Sequence, residues 1–150
     1  MTRAFTDPMR IALDEARAAA LAGEVPVGAV VTRGGAVVAA ARNRMRDGAD
    51  PTAHAEMIAL RAAAAALGTW RLDGCDLWVT LEPCAMCAGA MALARIARLY
   101  FAAPDPKGGA VIHGPRLFAQ PTCHHAPEVY QGMMEEEAGE LLREFFRERR

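Results

Sequence analysis

Long apolar stretches are missing from this chain of 150 residues: no run of eighteen apolar residues occurs, so a membrane span is not expected. The opening MTRAFTDPMR lacks the uninterrupted apolar core of a secretory signal, and a cytoplasmic protein is expected. Cysteine is scarce. Four are present, two of them as Cys84 and Cys87, which suits metal binding better than a disulfide framework. An excess of either charge is also missing. Seventeen basic residues against eighteen acidic ones leave a net charge of −1, so no basic domain announces a nucleic-acid binder and any such role must rest on a local patch. There is no internal repeat and no linker composition. What remains is 53% hydrophobic and 23% charged, the balance of a globular chain, and residues 1–150 are expected to form one domain able to bury a sizeable core.

Local signals order the elements. Thr6-Asp7-Pro8 is a helix start, and Met9, Ala12, Leu13, Ala16 and Ala20 recur at helical spacing until Gly23. VPVGAVV (Val25 to Val31) and AVVAAA (Ala36 to Ala41) read as two strands joined by a turn at Arg33-Gly34-Gly35. Both are apolar almost throughout, as expected of strands covered on both faces. A loop with a basic start (Arg42, Arg44, Arg46) precedes a helix from about Thr52 to Leu67. Cys75 to Glu82 is a third strand, Cys84 to Ala94 a helix begun by Pro83, and Arg98 to Ala103 a fourth strand. Glu128 to Gly132 is a short fifth strand before a last helix, Met134 to Arg147, whose acidic start and basic end counter its macrodipole. The order α-β-β-α-β-α-β-β-α predicts a three-layer α/β/α fold around a central mixed five-stranded sheet, with an antiparallel hairpin and parallel crossovers.

PTAHAEM (Pro51 to Met57) sets His54 and Glu56 two residues apart in an apolar stretch. On a regular helix such residues point to nearly opposite sides, so both can serve one site only at a helix start. Downstream, TLEPCAMCAGAM (Thr80 to Met91) places Cys84 and Cys87 three apart, on one face of a helix's first turn, where thiolate is favoured. One imidazole and two thiolates suit Zn²⁺ and leave a fourth tetrahedral position for water. Zinc brings the pKa of such a water towards roughly 7, and Glu56 stands where it can carry the proton to a substrate ring nitrogen. That chemistry replaces an amino group on a purine or pyrimidine by oxygen.

H-x-E…P-C-x-x-C is the signature of the zinc deaminases, and the chain resembles the cytidine-deaminase superfamily. More closely it resembles the bacterial tRNA-specific adenosine deaminases: EVPVGAV (Glu24 to Val30), ARNR (Ala41 to Arg44), DPTAHAE (Asp50 to Glu56), TLEPCAMCAGAM, DPKGGA (Asp105 to Ala110) and FFRERR (Phe145 to Arg150). The resemblance implies hydrolytic conversion of adenosine to inosine at the wobble position of a tRNA anticodon, one Zn²⁺ per subunit on His54, Cys84 and Cys87, and Glu56 as proton shuttle. It implies Asn43 at the target nucleoside, with Val27, Gly28 and Leu81 lining the pocket. It places Asp105 and Lys107 in a loop that touches the anticodon backbone, and Phe145, Phe146 and Arg149 on a helix that meets the RNA flank. It also implies a homodimer, for which the Ala/Met-rich helix Cys87 to Ile96 is a suitable surface. VIHGPRLFAQPTCHHA (Val111 to Ala126) departs from the better-known pattern in its paired histidines.

Three blander readings stand beside these. The zinc site is structural if Cys75 or Cys123 completes it, although a closed site needs no neighbouring glutamate. Glu82 is expected to cap a helix or fix a turn. Cys123, His124 and His125 form a substrate-side loop rather than a second metal site, because adjacent side chains rarely converge on one ion. Two rival functions remain open: a deaminase of free guanine, cytosine or cytidine using the same zinc chemistry, and a non-catalytic zinc-folded binding module.

Overall fold

The computed structural model describes residues 7–149, so Thr6 of the expected first cap and Arg150 of the basic tail lie outside the described residues. Asp7 is the cap. Its carboxylate accepts the Met9 N–H at 3.0 Å, and Pro8 takes the first position of helix α1 (Pro8–Leu21). Strands β1 (Gly28–Arg33) and β2 (Ala36–Arg42) form an antiparallel hairpin through Gly34 and Gly35. Both turn glycines have positive φ, +57° and +80°, which a two-residue turn between right-twisted strands requires. β1 also runs antiparallel to β3 (Cys75–Leu81), whereas β3, β4 (Arg98–Ala103) and β5 (Glu128–Gln131) are mutually parallel. The resulting sheet has the order β2-β1-β3-β4-β5.

Helices α2 (Ala55–Leu67) and α3 (Ala85–Ala94) cover one face of this sheet; α1 and α4 (Glu135–Arg147) cover the other. The expected three-layer α/β/α architecture with a mixed five-stranded sheet is therefore present. One core lies between the sheet and α2/α3, around Leu77, Val79, Leu99, Phe101 and Met91. The second joins Met9, Leu13, Val30 and Ala138, edged by a stack of Trp78, Tyr100 and Tyr130 on three adjacent strands. No helix among the described residues is long and apolar enough to cross a membrane.

Three expectations change. β1 is buried along almost its whole length, but β2 exposes Ala36, Val37 and Ala40 because it ends the sheet; an alanine-rich edge strand is apolar without being covered on both faces. The helix expected from Thr52 starts at Ala55, since Asp50 first folds the chain back by accepting from both the N–H and the hydroxyl of Thr52. A single 3-10 turn at Leu117–Ala119 had no signal in the sequence.

Candidate active site and metal centre

The two ligand-bearing segments are built alike. His54 is the N-cap of α2 and Cys84 the N-cap of α3, each with extended backbone, so each side chain leaves the axis at a helix mouth rather than along a helix flank. Cys87 follows on the first turn of α3. The imidazole Nδ1 of His54 lies 3.7 Å from Cys84 Sγ and 3.6 Å from Cys87 Sγ. Ligand bonds of about 2.0–2.3 Å at a tetrahedral angle put such donors roughly 3.6 Å apart, so the set fits a zinc-sized ion. His54, Cys84 and Cys87 are the one group of three or more potential ligands found among the described residues, which leaves Cys75 and Cys123 outside it.

A hydrogen bond from the Cys87 thiol, supported against burial by the main-chain N–H groups of Cys87 and Met86, brings Cys84 down to about 5. Cys87, which donates that bond and is buried near Glu56, is pushed up. Glu56, in the first turn of α2, is buried at 4% exposure. Burial raises its carboxyl above the usual range, opposed by its own N–H; the negative Cys84 reinforces the rise. Because α2 begins between them, His54 and Glu56 come close enough for the imidazole and both sulfurs to act on the Glu56 carboxyl.

Asn43 is buried and held by the chain at both ends of its amide. Its Nδ2 donates to Val25 O at 3.1 Å and its Oδ1 accepts the Ala55 N–H at 2.8 Å, so it caps α2 directly beside Glu56. Its own N–H donates to Val27 O. Gly28 has a packing reason: an added Cβ would lie 1.9 Å from Ala12 O, so α1 crosses β1 backbone to backbone there. Val27 is buried and Leu81 half-buried against the core.

Sequence reasoning left two carboxylates undervalued. Glu24 is buried and accepts the N–H groups of Arg46 and Asp47 at 3.0 to 3.1 Å, which pins the loop that follows Asn43. Glu82 is buried at the end of β3. It does not cap α3; it accepts four main-chain N–H groups, from Asp105, Val111, Ile112 and His113, and pairs with His113 Nδ1 at 2.7 Å. Burial would raise its pKa, but these bonds overcome that and hold it below the ordinary carboxylate value. The signal in both cases was a lone carboxylate at the end of an apolar run.

The family model of the MafB19-like deaminases matches residues 5–150. A tRNA-specific adenosine deaminase of Agrobacterium fabrum is 58% identical over 142 residues, 95% of this chain and 93% of that protein. The chain belongs to this deaminase family. A solved structure from work on A-to-I editing by tRNA:A34 deaminases is 57% identical, covers 90% of this chain and 98% of its own, and superposes with a TM-score of 0.89. A structure of the guanine deaminase from Nitrosomonas europaea is more distant at 30% identity, TM-score 0.78, over 92% of this chain and 82% of its own.

The remaining residues singled out in this deaminase make contacts of their own. Asp105 turns the start of its loop by accepting from the N–H groups of Lys107 and Gly108, and Lys107 is exposed. Phe145 is buried, with the Arg149 guanidinium stacked 3.6 Å over its ring, while Phe146 is half exposed. Cys123 and His125 are used within the chain, the thiol on His125 O and the imidazole on Ile96 O. They line a groove together with Trp70 and Leu93.

Proposed function

We propose that the chain hydrolyses adenosine to inosine at the wobble position of a tRNA anticodon, releasing ammonia. The observation that carries this reading is the buried Glu56 carboxyl held beside a three-donor metal site that has the spacing of a zinc centre. His54, Cys84 and Cys87 would hold one Zn²⁺ per subunit. When bound, the ion supplies Lewis acidity that makes water a nucleophile near neutral pH. Glu56 takes one proton from the attacking water and delivers it to N1 of the purine, then takes the other from the oxygen added at C6 and passes it to the amino group, which leaves as ammonia. Its burial keeps that proton from exchanging freely with solvent.

Asn43 engages the nucleoside with the hydrogen-bonding capacity left over from Val25 and Ala55. Leu81 and the Val27-Gly28 turn form the wall of the base pocket. Exposed Lys107, on the loop that starts at Asp105, and exposed Phe146 with Arg149 meet the RNA; Phe145 holds Arg149 in place. A base turned out of a single-stranded loop is the form in which such a site reads its substrate. The reading assigns residues 1–150 to one deaminase domain working in the cytoplasm. It also assigns a homodimer, whose contact is expected over α3, where Leu93 is 77% exposed beside the groove at Trp70.

Purified protein incubated with total tRNA, followed by sequencing, tests the reading. Inosine read as guanosine at the wobble position is the expected result. Turnover of free guanine, cytosine or cytidine with an anticodon stem-loop untouched would overturn it in favour of a free-base deaminase.

A further inference from the structure

The segment from Asp105 to Gly114 is held without a helix or a strand of its own. Its main chain is gathered instead around one carboxylate. Glu82 Oε1 accepts from Asp105 N–H at 2.9 Å and faces His113 Nδ1, while Oε2 accepts from Val111, Ile112 and His113 at 3.0 to 3.1 Å. Two glycines make the wrapping possible. A Cβ on Gly109 would lie 2.4 Å from the Glu82 carboxyl carbon, and Gly114, at φ +53°, approaches Gly109 O so closely that its own Cβ would sit 2.6 Å away. The loop is then tied to the ligand turn by the Ala110 N–H donating to Pro83 O at 2.9 Å, one residue before Cys84. Lys107 stands exposed on this loop. Because Oε1 is an acceptor, the His113 ring carries its proton on Nδ1 and turns Nε2 away from Glu82.

We propose that Glu82 is a positioning residue for the RNA: by fixing the Asp105–His113 loop against the ligand turn before substrate arrives, it removes the ordering cost of docking a nucleic-acid strand on Lys107 and His113. This rests on the reading of a tRNA substrate. A loop already ordered binds without spending free energy on immobilising its side chains. Glu82 touches neither the reacting atoms nor the ion in this role, so its effect falls on substrate binding.

The test compares Glu82→Gln with wild type on an anticodon stem-loop, measuring KM, kcat, metal content and the stem-loop Kd in a separate binding titration. Gln keeps the shape but turns an N–H donor toward main-chain donors. The expected result is a rise in KM and Kd of about tenfold, the scale of one or two side chains left to be ordered on binding, with kcat within about threefold and metal content unchanged. Glu82→Asp, which keeps the charge, recovers part of the loss. Gly109→Ala crowds the same carboxylate from the loop side and is expected to raise Kd in the same direction, so the inference stays testable if Glu82→Gln folds poorly. Unchanged KM and Kd in folded variants, a loss confined to kcat, or a loss of metal would each overturn it. Failure of the wobble-deamination reading shows in the wild-type turnover itself; failure of this inference shows in the ratio of variant to wild type.

Discussion

Glu56 and Glu82 are both buried, and both lie within two residues of a sulfur or imidazole ligand, yet their surroundings are opposite. Glu82 is saturated: four main-chain donors and an imidazole hold its negative charge in place. Glu56 is met by its own N–H and the Cys87 thiol, and burial pushes its carboxyl toward the protonated form. Environments that drive two carboxyls apart mark their division of labour. On the reading proposed above, the carboxyl with fewer donors carries the proton, and the one locked by donors holds the loop.

The largest expected effect removes what both carboxylates flank. His54→Ala and Cys87→Ala should lose the metal and all measurable turnover, read by elemental analysis beside inosine formation; a normal metal content in both would end the metal-site assignment. Next comes Glu56→Gln, expected to lower kcat by about 10²–10⁴-fold with metal content and melting temperature retained. The contrast with Glu82 breaks if this variant instead weakens substrate binding and spares kcat. Glu24 sharpens the contrast, because it too is a buried carboxylate that holds loop amides. Glu24→Ala leaves the Arg46 and Asp47 N–H groups without their acceptor and should cost about 1–3 kcal/mol in urea unfolding, resembling Glu82 rather than Glu56. A Glu24→Ala protein as stable as wild type would remove architecture as the reason such carboxylates are kept.

The smallest effect is on the surface. Glu137 of α4 is clamped by Arg10 and Arg17 of α1, and the Arg10 hydrogen bond holds its pKa below the usual value against slight desolvation. A depressed pKa contributes stability that is present above the unfolded value, about 4.3, and lost as pH falls through the folded one. Amide protection factors in α4, taken relative to the intrinsic exchange rate at each pH, should therefore fall below about pH 4 and, because the pair is exposed, with added salt at neutral pH. Protection that is indifferent to both would show that Ala138 and Phe145 alone dock the helix.

Much of this was legible beforehand. The hairpin glycines and the order of helices and strands followed from turn chemistry and periodicity, and the meeting of His54 with Cys84 and Cys87 from ligand spacing together with the family signature. What escaped has one physical cause: contacts between residues distant in sequence leave no periodic trace. Glu82 and its loop amides are 23 to 31 residues apart, and Asn43 caps a helix 12 residues on. Apolar β2 looked covered because composition does not say which strand ends a sheet. The packing reason for Gly28 was hidden as well, because the backbone it meets belongs to α1.

Both ligand turns sit where a helix begins, so the opposite ends of α2 and α3 are insulated from the donor atoms. For α2, thirteen residues put about 20 Å of rigid rod between His54 and the left-handed Gly68. A fluorophore or tether attached at exposed Ala65 or Ala66 would ride on that rod without disturbing the spacing that grips an ion.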